Sequence, residues 1–134
     1  MGALPGMPGM EYLLPALMTF GVRPGVLSME DVARICSMNP ARQFGLYPRK
    51  GAIAAGSDAD ICVLDPADRR VIRAEDLHEA DYTPWEGRKM DAWPSMTVLR
   101  GKVVVENGVF KGSLNDGKWQ HRRIADDMFT APRL

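Results

Sequence analysis

Three carboxylates, Asp58, Asp60 and Asp65, fall within eight positions of the stretch KGAIAAGSDADICVLDP at 50–66. Oxygens so closely spaced could hold a calcium ion, which takes ligands at alternating loop positions and a bidentate Glu at the end. The apolar run Ile61-Cys62-Val63-Leu64 removes those ligands. Gly56-Ser57-Asp58 is turn chemistry, because glycine reaches positive φ without cost and Ser and Asp side chains accept from nearby amides. Asp60 and Asp65 then bracket a short strand that reads as covered on both faces. The acids are expected to shape the chain. The histidines offer little more. His78 in AEDLHEAD could join Asp76, Glu79 or Asp81 around a metal, but the polar run reads as a solvated face. His121 beside Arg122 and Arg123 could attract an anion, or belong to a solvated tail. Cys36 and Cys62 lack CxxC spacing and read as buried thiols of a reducing cytoplasm.

The 134 residues, 46% of them apolar, suit one domain with a core. Lys and Arg number 17 and so do Asp and Glu. With no net charge there is no global field to draw nucleic acid or an anionic membrane, and neither is expected as a partner. MGALPGMPGMEYLL lacks a basic leader and a long apolar core, and no run approaches the ~18 apolar residues of a membrane span. A cytoplasmic location is expected.

Residues 1–9 read as a glycine and proline loop. Leu13, Leu14, Leu17 and Phe20 then share one helical face, with Pro15 tolerable only in the first turn and Gly21 at the end. Ser28 with Asp31 three positions on resembles a capping box, followed by Met29, Val32, Ile35 and Cys36 at helical spacing. Asn39-Pro40 is expected to stop this helix and start a short third one, which Gly45 closes. After Leu46 the pattern turns extended: 61–64, a possible second strand at 69–72, and a meander of 96–99, 102–106 and 109–111 turning at Arg100-Gly101 and Asn107-Gly108. DLHEADYTPWEGRKMDAWP reads as irregular, and the last residues, HRRIADDMFTAPRL, as a loosely held tail. The order is α+β. An apolar strand needs cover and an open sheet leaves edges, so the inventory implies missing partners.

Taken together, GMPGMEYLLPAL, LSMEDVARICSMNPARQFGLYPRKGAIAAGSDADICVLDP, DYTPWEG and TVLRGKVVVENGVF resemble the C-terminal part of the cyclic amidohydrolases: hydantoinases, dihydropyrimidinases, allantoinases and dihydroorotases. The resemblance implies the terminal helices of a metal-dependent (β/α)8 barrel followed by the C-terminal half of a flanking β-sandwich. Residues 1–50 would hold the last barrel loop and helices, 51–112 the sandwich share, and 113–134 a polar tail. It also implies two zinc ions bridged by a carboxylated Lys upstream, with an HxH motif, two further His and a catalytic Asp, so no catalytic or metal-binding residue is expected in this chain. Leu4, Pro5 and Gly6 would present backbone groups to a small cyclic amide, although Pro5 stands where hydantoinases often have Asn and has no N–H to donate. The full-length enzyme would be a homo-oligomer. The competing reading is a stand-alone β-rich binding or assembly module without catalysis.

Overall fold

The structure is a computed structural model, and it describes residues 8–78 and 80–126. Helices and strands divide into two compact units, each discontinuous in sequence: Met1–Leu27 with Leu64–Pro94, and Ser28–Val63 with Ser95–Leu134. The division into 1–50, 51–112 and 113–134 rests on the resemblance alone. No helix among the described residues is long and apolar enough to cross a membrane.

In the first unit, helix α1 (Leu13–Leu17) continues as a π-wound turn over Met18–Val22. Pro15 lies in the opening turn, where its missing N–H has no partner to lose, and it is buried there. The core of this unit is Tyr12, Ile72 and Met90, with Ala16, Leu77, Trp85 and Trp93 packed on it. Trp85 meets Tyr12 edge-on, with centroids 6.2 Å apart, and stacks on Phe20 at 5.4 Å. Asp91 ties the π turn to the strand region: its amide donates to the Thr19 hydroxyl at 2.8 Å and its carboxylate takes Arg23 and Arg69.

In the second unit, α2 (Met29–Ala33) starts at the expected capping box. Asp31 N donates to Ser28 Oγ and Ser28 N to Asp31 Oδ2, both at 3.0 Å. The expected stop at Asn39-Pro40 is corrected. Asn39 stays in the right-handed helical region and the helix runs through a π segment, Arg34–Met38, into α3 (Asn39–Gln43). A proline inside a helix lacks one donor and presses on the carbonyl four residues back. The wider winding, closed by Asn39 N on Arg34 O, stands where that carbonyl lies. Gly45, at φ 69°, ends α3 in a Schellman turn, with Leu46 N on Ala41 O at 2.7 Å and Gly45 N on Arg42 O at 3.0 Å.

The strands form one sheet in the order β1 (Ile61–Val71), β2 (Lys89–Leu99), β3 (Lys102–Glu106), β4 (Val109–Phe110). The expected strands at 61–64 and 69–72 are one continuous strand. It stands at a sheet edge, which is where a mid-strand proline such as Pro66 is tolerated. The expectation of cover on both faces fails for the same reason, since Cys62, Val63 and most of β1 are exposed. The supposed irregular stretch ends in strand, because Lys89 to Pro94 belong to β2. Both predicted reversals form. Leu99 faces Lys102 and Glu106 faces Val109 across two-residue turns whose central residues all have positive φ. Between Thr97↔Val105 and Val98↔Val103 the register jumps, so Val104 is an extra residue and the simple alternation of Val103, Val104 and Val105 is broken there.

A Cβ on Gly45 would approach the Arg123 backbone to 2.5 Å. Gly45→Ala is therefore expected to lose about 2 kcal/mol of stability, from αL strain plus displacement of that backbone, in thermal or denaturant unfolding. Ser28→Ala, which only removes the cap, should cost about 1 kcal/mol in the same assay.

Candidate functional site

Asp58 and Asp60 converge on one ammonium. Lys50 Nζ is 2.8 Å from Asp58 Oδ2 and also pairs with Asp60, while Arg49 Nε reaches Asp58 at 3.2 Å. The other Asp60 oxygen accepts from Arg100 N at 2.8 Å, beside a bond from Gly101 N to Ala59 O at 3.0 Å. The Lys50 ammonium beside Asp58 holds that carboxyl below its ordinary value. Burial works against the charge on Lys50, yet its bonds to Asp58 and Asp60 leave the ammonium pKa raised. Asp65 Oδ1 accepts from Ala67 N at 2.8 Å, an Asx turn. The acids therefore fasten backbone and lysine, as the turn chemistry implied.

His78 does not gather Asp76 or Asp81. Its ring Nδ1 lies 3.1 Å from Glu11 Oε2 and its backbone N donates to Glu11 Oε1 at 2.5 Å. Nothing in the local sequence points to a partner 67 positions away. Leu4, Pro5 and Gly6 lie outside the described residues. Tyr12, which is buried, donates from its hydroxyl to Pro8 O and accepts there from Thr83 Oγ1 at 2.9 Å. An open cavity of about 520 Å³ is lined by Arg73, Ala74, Glu75, Asp81 and Glu86. Glu86 is already engaged there by Ala74 N at 2.7 Å and Arg73 at 3.2 Å. Glu11 and Glu86 were not legible in the sequence, because their partners come from other segments. Cys36 is half-buried and Cys62 exposed, so the reading of two buried thiols is corrected.

A model of the amidohydrolase family matches residues 2–104. The chain belongs to the amidohydrolase family. It is 40% identical over 120 residues to a D-hydantoinase of Rhizobium radiobacter and 42% to one of Ralstonia pickettii, in each case 88% of this chain and 26% of the relative. Among solved structures it is similar to a D-hydantoinase (dihydropyrimidinase) from Thermus sp., with 42% identity and a TM-score of 0.82 over 87% of this chain and 26% of that one. An L-hydantoinase (dihydropyrimidinase) from Arthrobacter aurescens matches at 36% identity and TM-score 0.78, covering 84% and 25%. The chain thus spans about a quarter of the length of these relatives. By sequence and by structure it is similar to a part of hydantoinases and dihydropyrimidinases.

Members of this family are metal-dependent, and the residues described here do not fit such a centre. No group of three or more His, Cys, Asp or Glu among them is arranged to hold an ion. The best donors, Asp58 and Asp60, already neutralise Lys50. The Lys50 clasp predicts a pH dependence. Because the Asp58 pKa is depressed on folding, its contribution is full above the unfolded value near pH 4 and is lost as pH falls through the folded one. Acid unfolding of Asp58→Asn should accordingly show a shallower loss of stability below about pH 4 than the wild type.

Proposed function

We propose that this chain supplies the C-terminal share of a cyclic amidohydrolase of the hydantoinase or dihydropyrimidinase type, and that it does not hydrolyse cyclic amides alone. Its helices would be the last of a (β/α)8 barrel and its strands the C-terminal half of a flanking β-sandwich. Unfinished burial carries this reading. Strand β1 lies at a sheet edge with most of its residues exposed, and Met29 and Ile35 on the second helical segment are about half exposed although Val32 between them is buried. Such faces suit elements whose partners lie in the three quarters of the relatives' length that this chain does not span. In the assembled enzyme Leu4, Pro5 and Gly6 would offer backbone groups to the substrate amide. The two zinc ions and the carboxylated Lys would belong to the remainder, and the assembled enzyme would be a cytoplasmic homo-oligomer acting on a small cyclic amide.

Purified chain supplied with zinc should show no turnover of hydantoin, dihydrouracil, dihydroorotate or allantoin. Turnover and bound zinc rising together with protein concentration would overturn the proposal. Light scattering should show association, with binding of an apolar dye, and a clean monomer without dye binding would count against the unfinished faces.

A further inference from the structure

The run from Gly112 to Ile124 has almost no regular structure beyond one 3-10 turn at Leu114–Asp116; of its large apolar side chains, Leu114 and Trp119 are 102% and 85% exposed, and Ile124 is half-buried. Apart from Ile124 at its far end, apolar burial therefore does not hold it. Polar contacts do, and they concentrate on one residue. The Asp116 carboxylate takes Lys102 Nζ at 2.8 Å and its backbone carbonyl takes the Arg100 guanidinium, while the Ser113 amide, 2.6 Å from the same carboxylate, only closes the run's own turn. Among the described residues, the one other backbone bond from this run to the rest of its unit is Arg123 N on Gly45 O at 2.9 Å.

We propose that residues 112–124 form a releasable strap, latched at Asp116 and able to open while the helices and the β2–β3 hairpin of its unit stay folded. Two features distinguish this from ordinary fraying of a chain end. The latch lies near the start of the strap, against the turn between β2 and β3, so opening there leaves the strap tied to its unit only at its far end. The far anchor, at Gly45, is a single amide bond against a glycine that admits the Arg123 backbone only because it lacks a Cβ. Segments held by few apolar contacts and solvent-facing hydrogen bonds open at low free energy, independently of the core. The ion pair is half exposed on the Lys102 side, so salt weakens it. The inference concerns the strap alone and does not depend on the proposed enzyme role.

The strap carries its own reporters, because opening hands trypsin the bonds after Lys118, Arg122 and Arg123. Limited digestion of the full chain, followed by mass spectrometry, should show these cuts preceding those after Lys50 and Arg100. Loss of a charge-assisted anchor in Asp116→Ala should speed strap cleavage about tenfold, with Asp116→Asn between it and the wild type. Raised sodium chloride should speed the wild-type cuts without any substitution. Glu106→Gln, which removes the Lys111 pair outside the latch, should leave the rate unchanged. Strap cleavage that is indifferent to Asp116→Ala and to salt would overturn the proposal. So would cleavage rising equally at Lys50 and Arg100, since the strap would then open only with its whole unit.

Discussion

One ammonium group organises the passage from helix to strand in the second unit. Lys50 Nζ lies between the carboxylates of Asp58 and Asp60, and Asp60 in turn receives the amide of Arg100 at the β2–β3 turn. A chain leaving α3 could reach the first strand by many paths through the small residues Gly51 to Gly56. The two carboxylates select one path, because both must meet the same cation while one of them also caps a distant turn. Exposed ion pairs contribute little singly. Lys50 is mostly shielded, with 18% of its side chain exposed, and it is shared, so its constraint is greater than that of a lone surface pair.

The sequence was most legible where one local rule decides the outcome. Ser28 and Asp31 cap the helix that follows them, Gly45 ends α3, and Asn107-Gly108 reverses the chain, each through chemistry contained in a few residues. It was least legible where distant segments compete. Asn39-Pro40 looks like a terminator until the helix rewinds around it. Asp65-Pro66 looks like a strand end until β1 proves to lie at an edge, where a mid-strand proline is tolerated. The core residues Tyr12 and Met90 carry no periodic signal, since one precedes its helix and the other lies in a stretch rich in turn residues.

The candidate site follows the same division. That the acids of 58–65 would serve turns and strand ends could be read from glycine, serine and proline beside them. That Asp58 and Asp60 would share Lys50, or that His78 would find Glu11, could not, because each pairing is created by folding. Resemblance supplied what local chemistry could not. Motifs spread from Gly6 to Phe110 matched a family whose model covers residues 2–104.

The two π-wound segments, Met18–Val22 and Arg34–Met38, carry a meaning beyond the local geometry of Pro40. Each closes its bond over five residues instead of four, which is the geometry left by one extra residue inserted into an α-helix. An extra residue turns everything downstream by about 100° relative to a continuous α-helix. Met29 and Val32 therefore precede, and Ala41 follows, a slip in helical phase, and no single 3.6-residue stripe runs through all of them. In terms of sequence change, these segments are the places where a one-residue deletion leaves the hydrogen-bond ladder intact and alters only which side chains face inward beyond it.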